Sequence, residues 1–406
     1  MRILIYGINY SPELTGIGKY TGEMAEWLAD NNYDVSVITA MPYYPEWKIH
    51  DDYKGKLWFK EVKNKVIVYR CPLYVPSKVN SIKRIIHELS FLATSSFRWI
   101  RLLFKKRFDL VICVNPPFHL SIYPYLYSKL KKTETVIHIQ DLQVDAARSL
   151  NMLSNNFALE FMFKLESFFL KRSDYVSTLT DGMKRKIIDK DIPSEKILLL
   201  PNWVDLDKIK TLNKENSLRQ QFNIPIEDFV ILYAGNIGKK QGLDLLINVA
   251  EEYVDNKKLH FIIVGAGAEL SNLKNMASSK KLENVKFYPL QPYDLLSALL
   301  ATADLHLVLQ RKGASDLVMP SKLTGILASG GCPVVSAERG SSLYSLINEN
   351  KIGFICEPES KSALTDTINL ALKSDIKSIK LNARAYAEKH LSQGNIMKSF
   401  MQQVGF

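Results

Sequence analysis

Short apolar runs rich in β-branched residues alternate with amphipathic helical patterns along almost the whole chain. This alternation is typical of βαβ units, in which helices cover both faces of a parallel sheet. We therefore predict an α/β fold built on doubly wound parallel sheets. The predicted strands span residues 3–6, 35–39, 66–71, 110–114, 135–139 and 175–178 in the first half, and 229–234, 260–264, 286–288, 305–309, 333–336 and 353–356 in the second.

Two domains are expected from the length of 406 residues, because a single core rarely grows to this size. After the run "LLLP" the sequence becomes polar and charged, which indicates a boundary near residue 205. We place one doubly wound domain at residues 1–205 and a second at 206–385, with a cleft between them. The tail, residues 386–406, is predicted to form a helix that packs back toward the first domain.

The composition predicts a cytoplasmic protein without a membrane-spanning helix. The sequence has no run of about eighteen apolar residues, and polar residues interrupt the opening "MRILIYG" too early for a secretory signal. The cysteines, at positions 71, 113, 332 and 356, lack the close pairing of metal knuckles and redox motifs. We expect free and mostly buried thiols.

The loop "NYSPELTGIGKYTGE" follows the first predicted strand and contains Gly16 and Gly18. A dinucleotide fingerprint needs a third glycine, and it needs an acid after the second strand. Thr21 stands at the third glycine position and the second strand ends in Thr39 and Ala40, so a nicotinamide cofactor is not expected. Two interpretations stay open. The loop either offers the amides of a helix start to an anion or is a plain turn.

A second glycine-bearing loop, "AGNIGKKQG", carries Gly235, Gly238, Lys239 and Lys240 after the strand at 229–234. Two lysines at a helix start suit a diphosphate, whereas the alternative is a solvated turn. The residue order differs from that of a P-loop.

Two further segments follow predicted strands. In "VGAGAE", Gly265 and Gly267 allow a close approach of the backbone. In "RKGASDLVMPSKLTGILASGGCPVV", Ser321 and Lys322 open a short helix whose free amides, hydroxyl and ammonium suit a phosphate. Asp316 lies just upstream and either accepts hydrogen bonds from sugar hydroxyls or caps its own loop.

The segment "VIHIQDLQVDAARSL" places His138, Gln140, Asp141 and Asp145 at and just after a strand end. Because side chains alternate along a strand, His138 and Gln140 are predicted to point to the same face. Ligands of open α/β sheets collect at the carboxyl ends of strands, so we predict a functional site here. The spacing matches no strong metal-ligand pattern, and no metal is expected.

Five motifs now stand in order along the chain: "YGINYSPELTGIGKYTGEMAEWLA", "PYYPEW", "QDLQVDAA", "YAGNIGKKQGLD" and "DLVMPSKLTGILASG". With these motifs the chain resembles the family 4 glycosyltransferases over essentially its whole length. Within that family it is similar to the bacterial polysaccharide branch that includes the colanic acid fucosyltransferase. The resemblance implies the GT-B fold, in which two Rossmann-like domains flank an interdomain cleft and a helical tail ends the chain.

The resemblance also implies an activity. It is the retaining transfer of a sugar from a GDP- or UDP-linked donor, GDP-fucose-like in this branch, to a lipid-linked saccharide. The product would belong to bacterial exopolysaccharide, capsule or O-antigen biosynthesis, and neither a metal nor another cofactor is required. A hydrolysing nucleotide-sugar epimerase on the same fold is the alternative that stays open.

Site residues follow from the resemblance by position. Asp316, Asp141, Gln140 and His138 are expected to be catalytic, and Asp145 is expected to bind the acceptor. The expected donor-binding residues are Gly16, Gly18, Gly235, Asn236, Gly238, Lys239, Lys240, Gln241, Gly265, Gly267, Leu317, Val318, Ser321 and Lys322.

The chain departs from the family pattern at several of these positions. Asn236 and Gln241 stand where many members have an arginine and a lysine, so the neighbouring lysines would carry the phosphate charge. The second glutamate of the family's pair, which commonly holds the ribose, is replaced by Thr324 or Gly325. Gln140 stands where a catalytic histidine is often found.

Residues 78–107 carry eight basic residues and one acid among apolar side chains, within a chain of net charge +11. This pattern predicts either contact with a membrane surface or a helix pair packed within the first domain. Nucleic-acid binding is not expected, because the bases lie in one apolar stretch and no recognition motif occurs. We expect a cytoplasmic protein associated peripherally with the inner face of the plasma membrane.

Overall fold

A computed structural model describes residues 1–13, 16–145, 156–312 and 320–406. The chain divides into two compact units. The first contains Met1–Pro201 together with Met397–Phe406, and the second contains Asn202–Ile396.

The first unit is built on an eight-stranded sheet with the order β3-β4-β2-β1-β5-β6-β7-β8. Its strands are β1 (Arg2–Tyr6), β2 (Asp34–Ala40), β3 (Phe59–Lys63), β4 (Val66–Cys71), β5 (Leu110–Asn115), β6 (Glu134–Ile139), β7 (Tyr175–Thr178) and β8 (Ile197–Leu199). Every pairing is parallel except that of β3 with β4. Strand β5 is buried at all of its positions, as expected for a strand covered on both faces.

Helices pack on this sheet and connect its parallel strands. They are α1 (Gly16–Asp30), α2 (Ser81–Leu103), α3 (Ile122–Lys131), α4 (Asn156–Arg172) and α5 (Asp181–Ile188). Helix α2 begins after Asn80, whose side chain accepts a hydrogen bond from the Lys83 amide. Thr180 caps α5 in the same way by accepting from the Met183 amide. These caps satisfy amide donors that a helix start leaves unpaired.

The second unit is built on a six-stranded sheet in which every pairing is parallel, with the order β11-β10-β9-β12-β13-β14. Its strands are β9 (Phe229–Asn236), β10 (Leu259–Ala266), β11 (Val285–Tyr288), β12 (Leu305–Val308), β13 (Pro333–Ser336) and β14 (Phe354–Cys356). Its helices are α6 (Asp244–Ala250), α7 (Leu270–Ser279), α8 (Leu296–Ala301), α9 (Ser321–Ala328), α10 (Ser342–Asn350), α11 (Lys361–Lys373), α12 (Lys377–His390) and α13 (Gln393–Gln403), and the last of these continues into the first unit.

The predicted α/β class is confirmed, and each predicted strand is present. The order of the second sheet reverses between β9 and β12, where the chain crosses from one side of the sheet to the other. Such a switch point opens a crevice at the carboxyl ends of the central strands. The glycine loops after β9 and β10 therefore stand where a ligand is expected.

The cysteines are all free and buried, as the sequence predicted. Burial raises the pKa of each thiol to about 12. Within the described ranges, no helix is both long and apolar enough to cross a membrane.

Candidate functional site

The loop after β9 is a compact turn that exposes two lysines. The chain leaves the strand at Asn236 and forms a single helical turn, Lys239–Gln241, with both lysines exposed. The Gly238 amide donates a hydrogen bond of 3.1 Å to Oε1 of Gln241 and so closes the turn. Gly242 ends it at φ +60°, a conformation that favours glycine. The predicted donor residues of this segment therefore lie together at the end of β9 and in the turn that follows it.

Arg311 holds this turn in place, a role that sequence reasoning missed. Its Nε donates to the carbonyl of Lys239 at 2.9 Å, and its amide donates to the carbonyl of Lys240 at 3.0 Å. The rest of the guanidinium group is paired with Glu359 at 2.9 Å and Asp244 at 3.2 Å. The lysine side chains are thus left exposed while their backbone is fixed.

Lys322 extends from the start of α9 toward the end of β9. Its ammonium lies 3.6 Å from the centre of the Tyr233 ring, a cation–π contact. Among the residues that the structure describes, the buried Nζ atom has no hydrogen-bond partner. Desolvation lowers the pKa of this group to about 7. A buried and unpaired cation is costly, and an anionic ligand would relieve that cost.

Gly235 makes room for this ammonium. A Cβ atom at Gly235 would lie 3.3 Å from Nζ of Lys322, and the residue has φ +139°. Lys322 and the glycine loop therefore meet directly, and their role in donor binding stays a prediction. Ser321 is the first residue of α9 and is exposed beside them. Asp316, Leu317 and Val318 lie outside the described residues.

Gly265 and Gly267 have a structural explanation. The ends of β9 and β10 run so close together that a Cβ at Gly265 would lie 2.0 Å from the carbonyl oxygen of Gly235. A Cβ at Gly267 would lie 2.2 Å from the carbonyl oxygen of Ile237. The close approach that the sequence predicted is thus made to a neighbouring strand end, and a role for these glycines in donor binding stays a prediction.

In the first unit, a buried carboxyl supports the glycine loop before α1. Glu13 accepts hydrogen bonds from Asn9 at 2.9 Å and from the amides of Tyr43 and Tyr44 at 3.2 and 3.1 Å. Burial raises its pKa to about 7, although these bonds and the nearby Arg70 act in the other direction.

Two of the predicted glycines lie at the start of α1, near Glu13 and its partner Tyr44. Gly18 is buried against Glu13, since a Cβ there would lie 2.5 Å from Oε2. Gly16 has φ +61°, and a Cβ on it would lie 3.9 Å from the Tyr44 ring. Sequence reasoning identified the glycines but missed the glutamate, because its role depends on a contact with the distant loop after β2.

At the end of β6, His138 and Gln140 touch each other, as their alternation along the strand predicts. The Gln140 amide donates to Nε2 of His138 at 2.8 Å, so Nδ1 of the ring carries the hydrogen and donates to the Ser177 hydroxyl at 2.9 Å. Burial lowers the pKa of His138 to about 4. The His138 ring is neutral and 0% exposed, and its hydrogen bond fixes the orientation of the Gln140 side chain.

Asp145 is engaged by a neighbouring lysine. Its carboxylate lies 2.6 Å from Nζ of Lys190, which is also paired with Glu166, and all three side chains are largely buried. Asp141 follows β6, and its backbone carbonyl accepts a hydrogen bond of 3.0 Å from the backbone amide of Gln143. The ion pair gives Asp145 a structural role, while the acceptor role stays a prediction. The part of the chain that the structure describes contains no group of residues suited to a metal ion.

Comparison with known proteins defines the class. Residues 15–203 match the family described as "Glycosyl transferase 4-like domain", and residues 214–389 match "Glycosyl transferases group 1". The chain therefore belongs to the glycosyltransferases of this type, and the resemblance to family 4 is confirmed. A particular relative, the colanic acid biosynthesis glycosyl transferase WcaI of Escherichia coli K12, is 41% identical over the full length of both chains.

Solved structures share the fold at low sequence identity. Sucrose-phosphate synthase from Thermosynechococcus elongatus has a TM-score of 0.75 at 15% identity, covering 99% of this chain and 97% of its own. HepE of Anabaena, solved in complex with UDP and glucose, has a TM-score of 0.73 at 16% identity, covering 100% and 99%. The predicted GT-B fold is confirmed.

Proposed function

We propose that this glycosyltransferase moves a hexose or deoxyhexose from a GDP- or UDP-linked donor to a lipid-linked saccharide, with retention of configuration. The observation that carries the proposal is the buried ammonium of Lys322, which has no hydrogen-bond partner in the described part of the chain and lies beside Gly235. The 41% sequence identity to WcaI favours a polysaccharide as the product that receives the sugar.

The donor diphosphate is the ligand that suits these groups. The Lys322 ammonium is buried and the two lysines of the Lys239–Gln241 turn are exposed, so the proposed site has one cation inside and two at its edge. The Anabaena relative was solved with UDP and glucose, a nucleoside diphosphate and a sugar. A diphosphate bound in the same way here would be neutralised by the protein's own cations.

The chemistry follows from where charge develops. As the glycosidic bond breaks, negative charge grows on the β-phosphate. Cations that already lie in place would stabilise this charge more strongly as it develops. We assign this role to Lys322, Lys239 and Lys240, which supply the charge that a divalent ion supplies in other enzymes. Retention then proceeds by attack on the face that the diphosphate leaves, and the departing phosphate takes the proton of the acceptor hydroxyl.

The proposal also gives a role to Gln140 of the first unit and to Asp316. Gln140 is held by His138, so it acts as a polar group in fixed orientation, and His138 is a positioning residue rather than a catalytic one. Asp316 accepts hydrogen bonds from the donor sugar in this proposal, a role that comes from the resemblance. The roles of Gly16 and Gly18 toward the phosphates rest on the resemblance as well.

The acceptor is proposed to be lipid-linked because one face of α2 is apolar and exposed. Ile82 is 71%, Ile100 56% and Phe104 86% exposed, with Arg101 and Lys105 next to the last two. Other apolar residues of the same helix, Phe91, Trp99 and Leu102, are buried in the first unit. The sequence left open a membrane contact or a helix pair packed within the first domain, and the structure has a single helix here. It packs inward, and it presents a basic, apolar face suited to an anionic lipid surface.

Nucleotide binding and transfer test the proposal together. Calorimetry with UDP, GDP and ADP identifies the base, and the matching nucleotide sugars are then incubated with and without a membrane extract that contains lipid-linked saccharides. A transferase releases nucleoside diphosphate only when an acceptor is present. Release of diphosphate and an altered sugar without any acceptor would instead establish the epimerase, and Asp316→Asn should abolish turnover by the transferase while diphosphate still binds.

A further inference from the structure

Glu359 joins the loop after β14 to the loop after β12. Its Oε1 accepts a hydrogen bond of 2.9 Å from Nη1 of Arg311, and its Oε2 accepts one of 3.1 Å from the Lys312 amide. Both bonds hold the pKa of this carboxyl below its usual value, and the bond from the Lys312 amide has the larger effect. The carboxylate therefore binds two consecutive residues of another loop, although no sequence pattern predicted a role for Glu359.

The backbone of Glu359 adopts an unfavourable conformation. It has φ +60°, a region that glycine enters freely and that other residues enter at a cost. Lys132 and Lys351 have similar angles, but each of them ends a helix, where this conformation is common. Glu359 instead precedes the start of α11, which Ser360 caps by accepting from the Ala363 amide. A side chain that stays here in spite of the cost indicates a function for its carboxylate.

Arg311 carries this constraint to the turn that contains Lys239 and Lys240. Its Nε donates to the carbonyl of Lys239 at 2.9 Å, and its amide donates to the carbonyl of Lys240 at 3.0 Å. Its Nη2 pairs at 3.2 Å with Asp244, the first residue of the next helix. With Glu359 on Nη1, every nitrogen of the guanidinium has a partner, so the orientation of this planar group is fixed.

The contact should act on position more than on stability. The side chains of Arg311 and Glu359 are 46% and 38% exposed, and an isolated ion pair at such exposure adds little to the free energy of unfolding. The arginine stem also packs on the end of the turn, since a Cβ at Gly242 would lie 3.5 Å from Cγ of Arg311. Little room is left for the turn to move against the arginine.

We propose that Glu359 and Arg311 are positioning residues for the donor diphosphate. They fix the backbone from which the side chains of Lys239 and Lys240 extend, so less conformational entropy is lost when the ligand binds. The inference rests on the proposed function for the identity of the ligand. It gives the site a carboxylate that acts through the turn and not through contact with the ligand.

The variant Glu359→Gly separates positioning from stability and from charge. Glycine suits φ +60°, so the melting temperature should stay the same or rise. Removal of a negative charge near the lysines would by itself strengthen the binding of an anion, whereas loss of position should weaken it. In calorimetry with UDP, GDP and ADP, we expect the best ligand of the wild type to bind about tenfold more weakly, the equivalent of about 1.4 kcal/mol.

Lys351→Gly is the matched control. Lys351 is exposed, lies in the same unit and has φ +52°, so glycine relieves the same kind of backbone cost there. Its nucleotide affinity should equal that of the wild type. Arg311→Gln should weaken binding as Glu359→Gly does, and the double variant should lose little more than either single variant, because the two residues act as one unit.

Hydrogen exchange provides a second measurement that needs no ligand. The amides of Gly238, Gln241 and Gly242 are all bonded within the turn, at 3.1, 3.2 and 3.3 Å. In Glu359→Gly these amides should exchange about tenfold faster than in the wild type, because the turn opens more easily. Peptides from the rest of the second unit should keep their rates.

The positioning role and the proposed function can fail independently. If Glu359→Gly binds the diphosphate as tightly as the wild type or more tightly, or if the turn exchanges at the wild-type rate, the positioning role is overturned and the proposed function stands. If the wild type binds none of the three nucleotides, the donor proposal fails, and the exchange rates alone decide whether Glu359 holds the turn. A melting temperature of Glu359→Gly well below that of Lys351→Gly would also overturn the positioning role, because the carboxylate would then stabilise the fold.

Discussion

The ammonium of Lys322 lies 3.6 Å from the centre of the Tyr233 ring, and in the described part of the chain it makes no hydrogen bond. Its pKa is lowered to about 7 because the surroundings desolvate it. A diphosphate would favour the charged form and raise that pKa again. In the proposed donor complex, the state of this one proton would couple nucleotide binding to pH.

Nucleotide affinity should depend on the protonation of Lys322. Below about pH 7 Lys322 is already charged. Above that pH its neutral amine must take up a proton when the diphosphate binds. The affinity for nucleoside diphosphate should thus fall by up to about tenfold per pH unit as the pH rises above 7. Calorimetry in buffers of different ionisation enthalpy measures the proton uptake directly. Lys322→Met should abolish the uptake, and Lys373→Met, on an exposed helix face, should not.

The exposed lysines Lys239 and Lys240 should attract the diphosphate through solvent. We expect Lys239→Ala with Lys240→Ala to weaken diphosphate binding and to flatten its dependence on salt, because exposed charges are screened by ions. The adjacent pair Lys257 and Lys258 precedes β10 and so lies at the opposite end of a neighbouring strand. Changing that pair to alanine is the matched control. Equal losses in both double variants would indicate a general charge effect and argue against a phosphate site.

Glu13 should make stability depend on pH. Its folded pKa is raised to about 7, so the folded state holds a proton that the unfolded state releases near pH 4.5. Stability from this group is present below about pH 4.5 and is lost as the pH rises to 7. Relative to Glu13→Gln, the wild type should lose about 3 kcal/mol between pH 4.5 and 8, measured by urea unfolding. A constant difference across this range would contradict the assignment.

Gly265 should tolerate no side chain. Its Cβ would lie 2.0 Å from the Gly235 carbonyl oxygen, so Gly265→Ala must separate two strand ends and should cost about 2 kcal/mol or more. Gly325→Ala is the control, because the nearest atom to its Cβ would be 4.0 Å away and alanine favours the helix. In thermal unfolding, Gly265→Ala should have the lowest melting temperature, and Gly325→Ala should melt at or above the temperature of the wild type.

The exposed face of α2 should bind anionic lipid. Ile100→Glu with Phe104→Glu removes two exposed apolar side chains and adds negative charge, so sedimentation with phosphatidylglycerol vesicles should be lost. Leu381→Glu changes an equally exposed leucine, 72%, on α12 and should sediment normally. If the double variant still sediments with the vesicles, another surface makes the contact.

Strands were predictable because their signal is local. Each apolar run marks a buried strand by itself, and the class of fold follows from the alternation. The hairpin of β3 and β4 was missed because its turn, Asn64 and Lys65, has φ of +49° and +64° without a glycine. Asparagine tolerates that conformation, but the dipeptide is a weak signal.

Contacts at the site were less predictable because they join distant parts of the chain. Lys322 was identified by its position at a helix start, but Tyr233, which its ammonium contacts, belongs to the distant strand β9. Asp145 followed a strand end and suggested a ligand contact, whereas Lys190 reaches it from beyond α5. A short sequence pattern shows where a polar residue lies, and only tertiary packing shows which group it faces.

The buried cysteines have a practical consequence for following this enzyme in solution. Maleimides react with thiolates, and four thiols with pKa values of about 12 stay protonated and shielded at neutral pH. A cysteine introduced at an exposed position, such as Ser271 at the start of α7, can therefore be labelled selectively with every native cysteine left in place. A fluorophore there would report nucleotide binding in an otherwise unaltered protein.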